Sequence, residues 1–322
     1  MYHPYLFARR GELLAFRDTA DVLAADGAII PVFEPVSSNM DSLRIALKVA
    51  EKQKQPMYLV LNPALGDFKG DEQARADGWR AEAEVLTAKN PFVRPTYLAN
   101  PSATSAQLKR FVTKWAGRDA GIVMRDSAIT AVEIQAKVAG QLASHRVFLK
   151  GGAQSAATVA TFSGKNCVNV ESLFKAQQSN AKYKGRELFT TAHLKYKAQG
   201  LGGFSDFTCL DSKFRTGGST PAAVAIHLSY FQKNSKEVFV EHFVSVSQDP
   251  ADRDVDKKML EAISAAVAAS KRAGDSFGLT GAYGQYVGAH HGKAPPSLQN
   301  NKRWSVAHHL DLMSGMLAGR YK

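Results

Sequence analysis

Residues 120–150, AGIVMRDSAITAVEIQAKVAGQLASHRVFLK, contain two short apolar runs separated by a longer amphipathic stretch. The runs 120–125 and 146–150 have the length and composition of buried strands. Residues 128–143 between them have the spacing of apolar side chains that predicts a helix. A strand, a helix and a second strand in this order predict two parallel strands joined by a helical crossover.

The same alternation continues on both sides of this stretch. A helix over residues 12–25 precedes the first strand, and the other predicted strands cover residues 28–36, 57–62, 93–99, 167–171, 204–211 and 223–231. Eight strands alternating with helices favour an α/β fold of the closed (β/α)8 TIM-barrel type, because closure leaves no exposed sheet edge. A doubly wound open sheet is the alternative, and it is disfavoured because no Gly-x-Gly-x-x-Gly motif follows the first strand.

We expect one domain over residues 1–322. A short polar connection between 223–231 and 237–244 predicts a late β-hairpin. Residues 175–200 form a basic insertion without a clean period, and residues 275–322 form a C-terminal tail that we expect to pack on the barrel.

The composition is that of a folded protein with a basic surface. Hydrophobic residues make up 45% and charged residues 22%, which excludes a mainly disordered, collagenous or coiled-coil chain. The net charge of +12 favours anionic partners. Cys167 and Cys209, the only two cysteines, lie in apolar runs and indicate buried thiols in a reducing compartment, so we expect the cytoplasm. Residues 1–10 lack the apolar run of a signal peptide, and no membrane-spanning stretch is predicted.

Polar residues at the carboxyl ends of the predicted strands are the candidate catalytic groups. In a barrel these ends share one face, where enzymes of this fold build their active sites. The candidates are Glu34, Arg125, Lys150, Glu171 and Asp211, with Asn62, Asp126 and His227 beside them. We expect the charged groups to pair with one another without a ligand, since an unpaired buried charge is costly. The alternative is that strand ends are polar because they emerge into water.

Two glycine-rich stretches resemble anion-binding loops, because glycine lets backbone N–H groups approach an oxyanion. They are Lys150-Gly151-Gly152 and the stretch that contains Arg215, Gly217, Gly218 and Ser219. Tight turns are the other explanation for both.

Residues 175–197 combine cations with aromatic side chains. Lys182, Lys184 and Arg186 lie near Tyr183 and Phe189, a combination that can bind a nucleic-acid backbone and stack bases. A solvated loop that contacts a protein partner explains the composition equally well. No metal or cofactor is predicted. Adjacent residues on a helix point about a quarter-turn apart, so each of the pairs His290-His291 and His308-His309 supplies one metal ligand more easily than two. A terminal helix packed on the barrel is the favoured explanation for His308-His309, and a zinc site is the alternative.

The N-terminal region resembles a known family. The segments that carry the resemblance are Tyr2-x-Pro4-Tyr5-Leu6, Gly11-Glu12-Leu13 with Ala15, and Ile30-Pro31-Val32-Phe33-Glu34-Pro35. They resemble the Beta protein family, which is named after a phage protein and found in bacteria and mobile elements. The resemblance implies a barrel-like protein that acts with a co-encoded protein partner in phage defence or toxin neutralisation, and it transfers no catalytic residues. The alternative function is a barrel enzyme, a hydrolase or lyase, that acts on an anionic or phosphorylated small molecule or on nucleic acid.

Overall fold

The computed structural model describes residues 1–69, 73–215, 217 and 221–321. The strands are β1 (Tyr5–Leu6), β2 (Val32–Phe33), β3 (Met57–Val60), β4 (Val93–Ala99), β5 (Asp119–Arg125), β6 (Ser144–Lys150), β7 (Cys167–Glu171), β8 (Arg186–Thr190), β9 (Gly203–Asp206), β10 (Ala225–Phe231) and β11 (Val238–Val244). The helices are α1 (Arg10–Asp26), α2 (Asp41–Gln53), α3 (Gln73–Lys89), α4 (Ser105–Lys114), α5 (Ala131–Val138), α6 (Ala156–Thr161), α7 (Ala192–Lys195), α8 (Val255–Ala273), α9 (Gly281–Gly292) and α10 (Leu298–Ala318).

The chain forms two compact units, whereas the sequence predicts one domain over residues 1–322. The barrel unit comprises Met1–Arg9, Ile29–Glu171 and Ala192–Phe207. The second unit comprises Arg10–Ala28, Ser172–Thr191 and Thr208–Lys322. Each unit is built around its own sheet.

The barrel unit contains eight parallel strands in the order β1-β2-β3-β4-β5-β6-β7-β9. The first and last of them come together through a parallel bridge between Tyr2 and Phe204, where the His3 amide donates to the Phe204 carbonyl at 2.9 Å. Helices alternate with these strands along the chain. The (β/α)8 TIM-barrel-like fold predicted from the sequence is therefore confirmed.

Two of the predicted strand assignments are wrong. Residues 28–36 were predicted as the first barrel strand, but they supply the second, and the first is Tyr5–Leu6. A strand of two residues shows no alternation that a sequence pattern could reveal. Residues 223–231 do not complete the barrel, because β10 pairs with β11 in an antiparallel arrangement. The short connection between these two strands favours local hairpin pairing over a return to the barrel.

The barrel interior is close-packed at Gly121. A Cβ on this residue would lie 2.6 Å from Thr96 Oγ1 and 2.9 Å from Tyr58 Cδ1. Thr96 and Gly121 are direct partners in the parallel register of β4 and β5. The neighbouring strand leaves no room for a side chain at this position.

We expect Gly121→Ala to lower the free energy of unfolding by about 1–3 kcal/mol, the usual cost of overpacking a core. The control is Gly78→Ala on the exposed face of α3, where a Cβ meets no atom within 4 Å. That change should raise stability by about 0.5–1 kcal/mol, because alanine favours the helix. Urea unfolding of the full chain measures both, and equal stability of Gly121→Ala and the parent would contradict the packing argument.

The second unit contains the antiparallel sheet β10-β11-β8. Residues 175–200, the predicted basic insertion without a clean period, supply β8, which pairs with β11. Ile226, Leu228, Met259 and Phe277 belong to the hydrophobic core of this unit. Ion pairs to α1 come from Arg303 of α10, which contacts Asp18, and from Arg320, which follows α10 and contacts Asp26. The predicted N-terminal helix and C-terminal tail thus pack on each other.

None of the helices in the described ranges is both long enough and apolar enough to cross a membrane.

Candidate active site

The carboxyl ends of the barrel strands bring several of the predicted residues to one face. Glu34 follows β2, and Arg125, Lys150 and Glu171 end β5, β6 and β7. Arg125 and Lys150 are direct partners in the parallel register of adjacent strands. We call this face of the barrel unit the mouth, and Tyr5, Phe7 and Phe207 contribute side chains to it at the ends of β1 and β9.

A buried ion pair lies at the mouth. The Glu34 side chain is 0% exposed and that of Arg125 is 17% exposed. Arg125 Nη1 donates to the two Glu34 carboxylate oxygens at 2.9 and 3.0 Å. Tyr5 Oη donates to Glu34 Oε2 at 2.6 Å. Burial, followed by the negative charge of Glu34, raises the pKa of the Tyr5 hydroxyl well above its usual value, so this hydroxyl keeps its proton.

Lys150 does not join this ion pair. Its Nζ lies 4.6 Å from the ring centroid of Phe207, 4.9 Å from that of Tyr5 and 5.5 Å from that of Phe7. Within the ranges that the structure describes, no carboxylate forms a salt bridge with it, whereas the sequence predicts charge pairing. The three ring faces attract the ammonium in place of a carboxylate.

The aromatic surroundings change the protonation of Lys150. Burial lowers the pKa of the Lys150 ammonium from 10.5 to about 8. The charges of Glu34 and Asp126 oppose this shift, and that of Arg125 adds to it. A useful fraction of the amine is therefore neutral near physiological pH, and a neutral amine is a nucleophile.

The other predicted mouth residues have different surroundings. Glu171 ends β7, and burial raises the pKa of its carboxyl group. Asn62 exchanges two hydrogen bonds with the Leu98 backbone at 2.9 and 2.7 Å, which makes its role structural. Asp126 lies in the left-handed region directly after Arg125.

Asp211 and His227 do not belong to the strands that form the barrel mouth. Barrel strand β9 ends at Asp206, because Thr208 takes a positive φ of 57° that interrupts the extended backbone. Asp211 belongs to the second unit and forms an ion pair with Arg215 at 3.3 Å. His227 lies in β10 of the second unit, where its Nδ1 is 2.8 Å from His242 Nδ1.

Sequence reasoning missed Tyr5, Phe7, Phe207 and Asp206. Asp206 is fully buried at the end of β9, and Tyr2 Oη donates to its Oδ1 at 2.6 Å. The stretch Phe204-Ser205-Asp206-Phe207 gives a partial indication of Asp206, since an aspartate inside an apolar strand needs a buried hydrogen-bond donor. No local pattern identifies Tyr5, Phe7 and Phe207 as one cluster, because they come from opposite ends of the unit's sequence.

The two predicted anion-binding loops receive little support from their geometry. A Cβ on Gly151 would lie 3.7 Å from Asp126 Oδ1, so a carboxylate already lies beside this turn. Arg215 is paired with Asp211. Gly217 is exposed and has a φ of 85°, which is typical of a turn glycine. Gly218 and Ser219 lie outside the described residues.

The predicted nucleic-acid segment lacks available stacking rings. Tyr183 and Phe189 are buried within the second unit at 8% and 4% exposure. Lys182 donates to Gln178 at 2.7 Å, and Arg186 donates to Tyr230 at 3.3 Å. Lys184 is exposed. These two rings pack inward and offer no surface for base stacking, and nucleic-acid binding by this segment stays a prediction.

The histidine pair of α10 is buried in the second unit. His308 contacts Thr280 Oγ1 and the Ser229 carbonyl, each at 2.8 Å. His309 Nδ1 lies 2.5 Å from Ser229 Oγ. In the part of the chain that the structure describes, no three His, Cys, Asp or Glu side chains are grouped so that they could hold a metal ion.

Comparisons with family models, curated proteins and solved structures found no match to this chain. The resemblance to the Beta protein family, and the defence role beside a co-encoded partner that it implies, therefore stay predictions.

Proposed function

We propose that the barrel unit is a lyase that uses the Lys150 amine on the carbonyl group of a small anionic substrate. The observation that supports this most directly is the position of Lys150. Its amine lies at the carboxyl end of a barrel strand, among three aromatic rings and with a pKa of about 8. Active sites of this fold are built at that end of the barrel.

The proposed reaction follows from the chemistry of a neutral amine. The Lys150 nitrogen attacks the carbonyl carbon, so a C–N bond forms and the carbonyl oxygen takes up a proton. Loss of water then gives a protonated imine on Lys150. A base takes the proton of the substrate's β-hydroxyl group, the bond between the α and β carbons breaks, and the β carbon leaves as an aldehyde while the electron pair moves toward the imine nitrogen to give an enamine. Protonation of the enamine carbon restores the imine, and addition of water then releases the second carbonyl product and the free amine. No oxidant or reductant is consumed.

The buried ion pair supplies the anion-binding group. Arg125 uses Nη1 for both Glu34 oxygens, and a guanidinium carries five N–H donors, so a substrate carboxylate or phosphate can bind to its other N–H groups. Glu34 keeps its guanidinium partner when such a group binds, so no buried charge is left unpaired. Glu171, which ends β7 at the same mouth and whose carboxyl pKa burial raises, is the candidate general base.

Reductive trapping tests the proposal. The full chain is incubated with pyruvate or glyceraldehyde 3-phosphate and cyanoborohydride, which reduces an imine to a stable secondary amine. We expect intact mass to show one adduct and peptide mapping to place it on Lys150. Adducts spread over the exposed lysines, with none preferred at Lys150, would contradict the proposal.

A further inference from the structure

A cavity lies on the helix side of the barrel wall. It has a volume of about 580 Å³ and is bordered by side chains of α3, α4 and the segments that follow β3 and β4. Tyr97 of β4 belongs to its lining, and the Tyr97 ring packs against Phe111 of α4 with centroids 5.5 Å apart. Tyr97 thus points toward the helix layer. A volume of this size is typical of small-molecule sites.

The Tyr97 hydroxyl is an orphaned polar group in this cavity. Tyr97 is 4% exposed, and its hydroxyl has no hydrogen-bond partner among the described residues. Leaving a buried hydroxyl unpaired is unfavourable, and native structures avoid it except where a ligand or water completes the site. The positive charges of Arg80 and Arg110 act on this hydroxyl and oppose the rise in pKa that burial causes.

The cavity lining is strongly basic. Lys69, Arg80, Arg110 and Lys114 face one carboxylate, Glu84. That carboxylate is taken by Lys114 at 2.5 Å. Arg80 donates to the Leu61 carbonyl at 3.3 Å and lies 3.7 Å from Asp77. Arg110 has no ion-pair partner in the described ranges, so its charge is available to a ligand.

We propose that this cavity binds a small organic phosphate. Its phosphoryl group would lie between Arg80, Arg110 and the Tyr97 hydroxyl, and its apolar part against Phe68 and Phe111. Guanidinium groups and a phenolic O–H donate to phosphoryl oxygens, which satisfies the orphaned hydroxyl and the free charge together. Both rings line the cavity, and they provide an apolar surface for the rest of the ligand. The site does not depend on the chemistry proposed for the barrel mouth.

Calorimetric titration with AMP tests the proposal, with adenosine as the ligand that lacks the phosphate. We expect AMP to bind and adenosine to bind at least about tenfold more weakly, since charge-assisted hydrogen bonds are lost. Arg110→Gln should weaken AMP binding by about tenfold. The matched control is Lys109→Gln, which removes the same charge from the next residue of α4, an exposed residue outside the cavity lining, and should change affinity less than about twofold.

Tyr97→Phe separates a ligand contact from a structural role. We expect it to weaken AMP binding by about fivefold, because one hydrogen bond is lost, and to leave thermal stability equal or higher, because no partner is orphaned. Absence of AMP binding to the parent, equal affinity for adenosine, or equal losses in Arg110→Gln and Lys109→Gln would overturn the proposal. A single-stranded oligonucleotide that displaces AMP and depends on Arg110 and Tyr97 would overturn the small-molecule assignment and place the recognised phosphate in a nucleic acid.

Discussion

Replacing Arg125 with alanine is expected to lower the free energy of unfolding of the barrel unit by about 3–5 kcal/mol. The change leaves the Glu34 carboxylate, which is 0% exposed, with Tyr5 as its remaining hydrogen-bond donor. An uncompensated buried charge costs far more than an intact pair contributes. Urea titration followed by hydrogen exchange in peptides from β2 and β5 measures the loss within this unit.

Two further variants make the Arg125 result interpretable. The double variant Glu34→Gln with Arg125→Met removes both charges, and we expect it to recover at least half of the lost stability. Lys137→Ala removes the cation of a more exposed pair with Glu133 at 4.0 Å and should change stability by less than about 0.5 kcal/mol. An Arg125→Ala protein as stable as Lys137→Ala would show that the carboxylate is not held as a buried charge.

Replacing Lys150 with arginine is expected to lower the rate of reductive trapping at the barrel mouth on the order of 10⁴-fold or more, the scale on which removal of a nucleophile acts. Arginine keeps the positive charge over the rings but is not a nucleophile at accessible pH. The control is Lys165→Arg, which changes an exposed lysine before β7, at the opposite end of that strand from Glu171. In the Lys165→Arg protein, the rate of reductive trapping at Lys150 should equal that of the parent protein.

The pH dependence identifies the reacting amine. The pKa of Lys150 is about 8, and the reactive form is the unprotonated one. Below pH 8 the trapping rate should therefore rise about tenfold per pH unit, and above pH 8 it should level off. A rate that keeps rising to pH 10 would indicate reaction at ordinary exposed lysines. Lys150→Met should retain the fold, because it replaces a partly desolvated cation with an apolar side chain of similar length.

Much of the barrel was predictable because its longer strands are apolar runs. Residues 93–99 and 167–171 were predicted with the bounds that β4 and β7 have, and 120–125 and 146–150 differ from β5 and β6 by one and two residues at the start. Thr104 caps α4 and forms a capping box with Gln107. These features depend on neighbouring residues alone, and a buried strand or a helix cap leaves a local pattern.

The strand set could not be completed from the same patterns. β2 is limited to Val32–Phe33 between Pro31 and Pro35, and β1 has two residues. Proline removes a ladder donor, and two residues show no alternation. Residues 223–231 have a stronger strand pattern than either, yet they pair with β11 outside the barrel. Propensity does not specify which strand is the partner.

The sequence by itself determined the (β/α)8 class and placed Glu34, Arg125 and Lys150 at one end of parallel strands, because strand direction and strand ends are local properties. Only the tertiary structure decided what each side chain meets there. Arg125 reaches Glu34 across 91 positions of sequence, and Lys150 meets rings of Tyr5, Phe7 and Phe207 instead of a carboxylate. The pairing of charges and the burial that lowers the pKa of Lys150 depend on distances through space, and closure of the barrel sets those distances.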